Sequence, residues 1–172
     1  LTPEKYHYNH TPVAGKVIDF YPIDGSYHAC NPNAVVSVVT PYSKNKRVVS
    51  IIDTDVPGGT GAGLVAMIEV VALMIGDIVQ CYSEKEYENP ASVGTGLFVR
   101  KGCPKSLFRP GSSTVVLLFQ KDRVRPADDL AANRCDPDAH SIFSQGFGRQ
   151  LVETEVEVRS FIATATGTVT AS

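Results

Sequence analysis

The clearest β-strand pattern in the chain is the stretch LVETEVEVRSF, which occupies Leu151–Phe161. Val152, Thr154, Val156 and Val158 alternate along it with glutamates and an arginine. Because successive side chains of a strand point to opposite faces of its sheet, this period of two predicts a strand with one apolar and one charged face. We therefore expect β structure near the end of the chain.

Other short segments are rich in valine, isoleucine, threonine and tyrosine, and proline or glycine separates them. These residue types favour strands, whereas proline and glycine interrupt them. Gly63–Val79 is long enough for an apolar helix, but its β-branched residues and the break at Gly76-Asp77 favour two strands joined by a turn. The remaining predicted strands are Val13–Tyr21, Ala34–Thr40, Arg47–Asp53 and Thr114–Phe119.

Three stretches are predicted as loops. Glu84–Gly96 and Arg123–Gly148 are polar and lack periodicity, which indicates connections. Gly58–Gly63 is predicted as a hairpin loop, because it lacks the Lys-Ser/Thr pair that follows a phosphate-binding loop. Strands and loops together predict a mainly β fold (α+β with few helices), arranged in barrel-like or sandwich-like sheets.

Length and composition are those of one domain covering residues 1–172. The formal net charge is −2 and 43% of the residues are hydrophobic. This composition excludes a disordered chain and a nucleic-acid binder that works through bulk positive charge. No apolar run is long enough to span a bilayer, and the first residues have no signal-peptide pattern, so the localisation stays open. The chain starts with leucine rather than methionine, which favours a fragment or a processed chain.

The four cysteines are scattered, and no pair has metal-ligand spacing. We expect free thiols and no zinc site. Asp128-Asp129 lies outside any EF-hand pattern and predicts at most weak calcium binding. The cysteines are Cys30, Cys81, Cys103 and Cys135.

Two histidines, His7 and His10, stand three residues apart just before Pro12. A spacing of three would place both on one side of a helical turn. Histidine exchanges a proton near neutral pH, so one interpretation is an acid–base pair, and the other is two surface or capping histidines. No third ligand accompanies them, which argues against a metal site.

A second candidate lies in the turn that precedes the strand Thr114–Phe119, where the chain reads Pro110-Gly111-Ser112-Ser113. One interpretation is an ordinary tight turn. The other is an internal serine that attacks the carbonyl before it, because glycine leaves that carbonyl exposed and tolerates unusual backbone angles.

Together the two regions resemble the phosphatidylserine decarboxylase family, which includes soluble amino-acid decarboxylases such as tryptophan decarboxylases. The first match is Tyr6-His7…His10…Pro12…Gly15, and the second is Phe108…Gly111-Ser112-Ser113-Thr114-Val115-Val116-Leu117-Leu118-Phe119. Between them, in the family's order, come Asn31, Arg47-Val48…Asp53-Thr54 and Val70…Gly76-Asp77-Ile78. The resemblance covers most of residues 1–120, and Leu151–Phe161 extends it loosely.

The resemblance implies a proenzyme that cleaves itself. In such proenzymes a serine hydroxyl attacks the preceding carbonyl, the acyl group moves to oxygen, and β-elimination cuts the chain and leaves a pyruvoyl group. Counting forward from Phe108 selects cleavage between Gly111 and Ser112. Counting back from Val115 selects Ser113 as the pyruvoyl precursor instead.

Cleavage before Ser112 would give a β-subunit-like segment of residues 1–111 and an α-subunit-like segment of residues 112–172. The resemblance implies that these segments interleave and stay associated, and homodimers occur in the family. The pyruvoyl ketone would form a Schiff base with the substrate amine and take up the electrons left by CO2, without an external cofactor. The implied substrate carries a primary amine beside a carboxylate, as do phosphatidylserine and free amino acids.

By position, His10 matches the family histidine that acts as base in self-cleavage. His7 matches the one proposed to protonate the carbanion after decarboxylation. Both steps need a group that exchanges a proton near neutral pH, which histidine provides.

Two features depart from the family pattern. The family has an aspartate before the two histidines, and this chain begins after that segment; either the aspartate lies on a missing stretch or a partner chain, or self-cleavage is inefficient here. Glu69 interrupts the apolar run Leu64–Leu73, and a buried carboxylate is costly unless it is paired. One interpretation is a contact with a substrate cation; the other is a residue that reaches solvent or an arginine.

Two rival functions remain. The first is a non-catalytic β-domain that keeps the fold without self-cleavage. The second is a lipid-surface module that uses the basic cluster Lys44–Arg47, where the alternative is a solvated turn. Membrane contact has no further support in the sequence.

Overall fold

The computed structural model describes residues 6–37, 41–73, 77–109, 113–135, 138 and 154–167. Within these ranges strands dominate, so the predicted mainly β fold is confirmed. The strands are β1 (Tyr8–His10), β2 (Gly15–Ile23), β3 (Arg47–Asp53), β4 (Leu64–Val71), β5 (Asp77–Gln80), β6 (Phe98–Val99), β7 (Pro104–Arg109), β8 (Ser113–Phe119), β9 (Val124–Pro126) and β10 (Ala163–Ala165). The helices are α1 (Pro32–Ser37), α2 (Pro41–Lys44) and α3 (Asp128–Cys135).

The described strands form a curled, antiparallel half-barrel, which agrees with the expected barrel-like arrangement. One sheet has the strand order β6-β2-β3-β4-β8, and a smaller sheet has the order β1-β7-β5. Among the described strands, β9 and β10 pair only with each other. The chain crosses from the smaller sheet to the larger one between β7 and β8, at the predicted cleavage turn.

The core consists of the inward-facing residues of the central strands. Val17, Ile52 and Val65, from three neighbouring strands, are fully buried in one cluster. A second cluster surrounds Phe108, which is 2% exposed. Burying an aliphatic or aromatic side chain of this size contributes roughly 1.5–3 kcal/mol, so Phe108 anchors the chain just before the cleavage turn.

Most of the predicted strands are confirmed. Arg47–Asp53 has the predicted bounds, Val13–Tyr21 corresponds to β2, and Thr114–Phe119 corresponds to β8. Gly63–Val79 contains the two strands β4 and β5, as its β-branched residues indicated. Glu84–Gly96 contains no strand beyond isolated bridges, which confirms the predicted loop.

The predicted strand Ala34–Thr40 is wrong where the structure describes it, because Pro32–Ser37 forms α1. Asn31 caps this helix: its side-chain Oδ1 accepts a 2.9 Å hydrogen bond from the backbone N–H of Ala34. Asparagine before proline is a strong helix start, and here it outweighs the β-branched residues that follow. Residues 38–40 lie outside the described ranges.

The predicted strand Leu151–Phe161 is wrong over its described residues, 154–161, which contain no strand. Val156 and Val158 are 49% and 53% exposed, and the backbone turns between Glu157 and Ser160. Alternation assigns side chains to two faces but does not supply a neighbouring strand. No strand in the described ranges pairs with residues 154–161. Leu151–Glu153 lies outside the described residues.

The predicted connection Arg123–Gly148 is partly wrong, since its first half contains β9 and α3. Asp128 and Asp129 occupy the first turn of α3, where carboxylates interact favourably with the helix dipole. This explains the paired aspartates without calcium. Gly58–Gly63 joins β3 to β4, which confirms the predicted hairpin loop.

Candidate active site

His10 lies at the end of β1 in a cluster of aromatic rings. Its ring centroid is 5.7 Å from that of Tyr6, and the centroids of Tyr6 and Tyr8 are 5.6 Å apart. The side chain of Asn9 is buried and points instead to the protein interior. This alternation belongs to a strand, so the segment is not the helical turn that a spacing of three residues suggested.

Hydrogen bonds define the tautomer of His10. Its Nδ1 lies 2.8 Å from the carbonyl oxygen of Gly102, which only accepts, so Nδ1 carries the proton. Nε2 therefore has the lone pair, and it accepts a 2.7 Å hydrogen bond from the hydroxyl of Tyr6. Burial lowers the pKa of His10; the Gly102 bond opposes this shift and the charge of Arg159 adds to it. His10 is therefore neutral at neutral pH, with Nε2 as its basic atom.

Tyr6 is a stable donor to His10. Burial, together with the neighbouring Tyr87, raises the pKa of Tyr6, so its hydroxyl keeps its proton. The Tyr87 hydroxyl also hydrogen-bonds that of Tyr6, and the Tyr8 and Tyr87 rings lie 4.9 Å apart. These tyrosines hold the His10 ring, and sequence reasoning did not single them out. The signal was present in the sequence as Tyr6-His7-Tyr8-Asn9-His10, where one face of a strand is entirely aromatic.

His7 lies beside the strand that enters the cleavage turn. Its carbonyl oxygen accepts a 3.1 Å hydrogen bond from the backbone N–H of Phe108. This bond continues the antiparallel pairing of β1 with β7. Since three residues extend over at most about 11 Å, the main chain of His7 is held near the start of the turn that follows Phe108.

The structure describes the strands on both sides of the predicted cleavage turn but not residues 110–112 between them. β7 ends at Arg109, and β8 begins at Ser113, whose backbone pairs with Val71 of β4. Gly111 and Ser112 lie outside the described residues, and so does the side chain of Ser113. The expected closeness of the two histidines to these serines stays a prediction.

A cavity of about 720 Å³ opens beside His10. Val115 and Leu117 of β8 form an apolar part of its lining, and residues 157–163, which include Glu157 and Arg159, form another part. Val115 follows Ser113 by two residues, which the backbone spans in at most about 7 Å. The first residue of β8 is therefore within reach of the cavity, which we call the His10 cavity.

Glu69 lies at the centre of a buried polar cluster between the two sheets. Its side chain and that of Lys105 are both 0% exposed, and Nζ of Lys105 is 2.7 Å from Oε2 of Glu69. Oε2 also accepts a 3.2 Å hydrogen bond from Nε2 of Gln80. Oε1 accepts one from the Ser106 hydroxyl and one of 3.3 Å from Nδ2 of Asn9. Each carboxylate oxygen of this Glu69 cluster thus has two donors.

The Glu69 cluster connects four strands, with Asn9 on β1, Glu69 on β4, Gln80 on β5 and the other two residues on β7. A substrate cation would have to displace Lys105 from a site that solvent does not reach. The arrangement gives no support to the predicted substrate contact and agrees with the simpler interpretation of a paired carboxylate. Its partner is a lysine rather than solvent or an arginine, and the signal for it was the lone lysine of the strand sequence PKSLFR.

The basic cluster Lys44–Arg47 is a hydrogen-bonded turn. Nη1 of Arg47 donates to the carbonyl oxygens of Ser43 and Asn45, both at 2.9 Å. Asn45 is fully buried and its side chain bonds the backbone of His28 and Val71. Half of this cluster is therefore engaged in holding the fold rather than facing a lipid surface.

Cys30, Cys81 and Cys103 are free thiols, as expected. In the described part of the chain, no three His, Cys, Asp or Glu side chains come together as a metal site. The helices among those residues are all too short or too polar to cross a bilayer.

Comparison with known proteins shows the family of this chain. A family profile described as phosphatidylserine decarboxylase matches residues 1–135. Phosphatidylserine decarboxylase proenzyme 2 of Oryza sativa subsp. japonica is 37% identical over 134 residues, covering 77% of this chain and 19% of the relative. The phosphatidylserine decarboxylase proenzyme of Ruminiclostridium cellulolyticum is 34% identical over 130 residues, covering 76% of this chain and 38% of the relative.

The chain spans less than half of the length of these relatives. The proenzyme of Clostridium beijerinckii matches further, at 29% identity over 153 residues, or 88% of this chain and 46% of the relative. No solved structure matches. From the profile match and the shared motifs, this chain belongs to the phosphatidylserine decarboxylase family.

Proposed function

We propose that this chain is the core of a pyruvoyl-dependent decarboxylase, made as a proenzyme that cleaves itself between Gly111 and Ser112. Family membership supports this function. The observation that carries it is the path of β8, which begins directly after the cleavage turn and lines the same cavity as His10. A nucleophile directly before β8 in the sequence and a base in that cavity are the two groups that self-cleavage requires.

His10 is the base of the proposed self-cleavage. Its Nε2 takes the proton of the serine hydroxyl once the Tyr6 hydroxyl has moved from that nitrogen. The serine oxygen attacks the carbonyl carbon of Gly111, and the C–N bond of that peptide is replaced by a C–O ester bond. Elimination then removes the serine α-proton and breaks the Cβ–O bond, and hydrolysis releases ammonia and leaves a ketone.

The two products of cleavage would remain together. β8 belongs to the α-subunit-like segment and pairs with β4 of the β-subunit-like segment at seven positions, from Val65–Phe119 to Val71–Ser113. These backbone hydrogen bonds do not depend on the peptide that is cut. The sheet order therefore supports interleaved subunits, and association of the whole into a homo-oligomer is a separate prediction.

The His10 cavity fits a ketone formed from Ser112, since the next residue, Ser113, is the first of β8 and within reach of the cavity, and no external group has to be bound. A pyruvoyl group supplies a carbonyl that condenses with primary amines and accepts the electron pair released with CO2. The apolar lining from Val115 and Leu117 limits water there. We assign His7, which directly precedes β1, the return of a proton to carbon. The substrate class is an amine beside a carboxylate: phosphatidylserine or a free amino acid.

Carbon dioxide release tests this function. We would supply phosphatidylserine vesicles and a panel of free amino acids, with and without phenylhydrazine, which blocks ketones. We expect release from at least one substrate and its loss with phenylhydrazine. His7→Gln should lower the rate by about 10²–10⁴-fold, the usual contribution of a proton-transfer group. His28→Gln, at an exposed histidine, is the matched control.

Failure to release CO2 from any substrate would contradict the proposal. Combined with an uncut chain, it would establish the rival non-catalytic β-domain.

A further inference from the structure

Arg159 reaches the His10 cavity from a segment beyond the family match, which ends at residue 135. It stands in a tight turn in which the backbone N–H and the hydroxyl of Ser160 both donate to the carbonyl of Glu157, at 3.1 Å and 2.7 Å. The φ angle of Arg159 is +67°, a left-handed conformation that favours glycine. A non-glycine residue is strained in this conformation, and residues strained in this way cluster at ligand sites.

A shared acceptor holds Arg159 beside His10. Nε of Arg159 donates a 3.1 Å hydrogen bond to the carbonyl oxygen of Gly102, the same oxygen that accepts the 2.8 Å bond from Nδ1 of His10. The two nitrogens are 3.4 Å apart. The guanidinium group is thereby fixed next to the ring whose Nε2 is the basic atom.

The charge of Arg159 has no carboxylate partner among the described residues. The ion pairs in that portion of the chain join other groups, and only Nε of Arg159 has a hydrogen-bond partner there. Lys101 also lines the cavity and is in none of those pairs, and Glu157 lines it without approaching Arg159 within ion-pair distance. The two Nη groups of Arg159 are left to bind an anion, which a guanidinium grips with two parallel hydrogen bonds.

The chemistry of decarboxylation decides which anion suits this position. A substrate carboxylate loses its charge as CO2 leaves, so a cation that grips it stabilises the ground state more than the transition state and slows the reaction. A phosphodiester keeps its charge throughout. A cation that binds it holds the substrate without opposing the chemical step.

We propose that Arg159 is the specificity-determining residue of the His10 cavity and binds the phosphodiester of the substrate; this inference rests on the proposed function. Substrates that carry a phosphate ester are then favoured over free amino acids. The phosphodiester belongs either to a lipid head group or to a soluble glycerophosphoserine, and both present the same group to the guanidinium.

A binding measurement isolates the phosphate contact. The probe is sn-glycero-3-phosphocholine, which has the phosphodiester but no primary amine to react with a ketone. Calorimetry would compare the unchanged protein with Arg159→Gln, Arg159→Lys and the control Arg125→Gln, which removes an arginine that does not line the cavity. We expect at least about tenfold weaker binding for Arg159→Gln, the effect of one lost charge-assisted hydrogen bond. Arg159→Lys should be intermediate, and Arg125→Gln unchanged.

Equal binding by Arg159→Gln and the unchanged protein, no binding by either, or an equal loss in Arg125→Gln would overturn the proposal. If circular dichroism shows that Arg159→Gln is unfolded, the binding measured with Arg159→Lys decides the test instead. Because the probe needs no ketone, a chain that never releases CO2 but loses binding in Arg159→Gln keeps this inference and removes the proposed function.

Kinetics distinguish the two phosphate sources. Arg159→Gln should raise KM, with kcat little changed, for both phosphatidylserine vesicles and soluble glycerophosphoserine, and should leave free serine unaffected. A rise confined to vesicles would overturn the phosphodiester assignment, because it would indicate contact with the lipid surface instead.

Discussion

The Glu69 cluster and the His10 cavity both place charged or titratable groups against β1. They differ in hydrogen bonding, because every carboxylate oxygen in the cluster has donors, whereas the cavity contains a charged group that is only partly bonded within the described residues. In the cluster, each oxygen of Glu69 has two donors, and Glu69 and Lys105 are wholly inaccessible to water. In the cavity, a neutral imidazole stands beside an arginine whose Nη groups have no partner in the described stretches of the chain. A polar group whose hydrogen bonds are all made within the protein stabilises the fold. A polar group with unused donors beside an open cavity is available to bind a ligand.

The largest effect is expected inside the cluster. Lys105→Met leaves the Glu69 carboxylate buried without its cation, which typically costs about 3–5 kcal/mol of the free energy of unfolding. Urea unfolding of this variant measures the loss, and Lys121→Met, at a side chain that is 92% exposed, is the control. The double variant Glu69→Gln/Lys105→Met should recover some of the loss because no charge remains buried. Equal stability of the Lys105 and Lys121 variants would show that the cluster is not a structural unit.

A change in the cavity should alter chemistry rather than stability. His10→Gln removes the basic nitrogen and should slow self-cleavage by about 10²–10⁴-fold, while His28→Gln should leave it unchanged. Gel electrophoresis over time measures both rates. Cleavage of His10→Gln at the unchanged rate would remove His10 from the mechanism.

The pH dependence follows from the environment of His10. Burial holds the pKa of His10 below its ordinary 6.5, so the ring stays neutral, and therefore able to act as a base, at pH 6.5. We expect the cleavage rate to fall only as the pH drops below that value. Arg159→Gln removes a cation that lowers the pKa, so the His10 pKa, followed by NMR, should rise. The other titratable groups that line the cavity or contact the ring are Tyr6, Tyr8, Lys101, Cys103 and Glu157. An unchanged or lower His10 pKa in Arg159→Gln would contradict the placement of the Arg159 guanidinium beside the His10 ring.

The smallest effect is expected for Tyr6→Phe. This change removes hydrogen bonds to His10 and Tyr87, just as Lys105→Met removes hydrogen bonds from the Glu69 cluster. Tyr6, however, is 43% exposed, so water can replace the hydrogen bonds that its hydroxyl made. The cost should be about 1 kcal/mol by urea unfolding, with Tyr27→Phe as the control. If Tyr6→Phe lowered the free energy of unfolding as much as Lys105→Met, the proposed difference between the His10 cavity and the Glu69 cluster would be contradicted.

Local residue preference predicted the sheets well because the strands that form them are short and rich in valine, isoleucine and leucine. Arg47–Asp53 and Thr114–Phe119 are such strands. It failed at Ala34–Thr40, where a single capping residue, Asn31, starts a helix. It failed again at residues 154–161 of the predicted strand Leu151–Phe161, because alternation carries no information on whether a partner strand exists.

The candidate site was only partly predictable. The resemblance pointed to His7 and His10 in one short motif and to the two serines, Ser112 and Ser113, in another. The partners of His10 and Glu69 come from distant regions of the chain: Gly102 and Arg159 for the first, Lys105 for the second. Such long-range contacts depend on the packing of the two sheets, which no local pattern encodes.

Intact-mass measurement after incubation tests the central claim most directly. The unchanged protein should give two fragments, 1–111 and 112–172, with the second blocked at its N-terminus and lighter by one ammonia than a simple hydrolysis product. Ser112→Ala should remain a single chain, and Ser113→Ala should still be cut. An unchanged protein that stays whole, or a second fragment with a free amino terminus, would contradict self-cleavage to a pyruvoyl group.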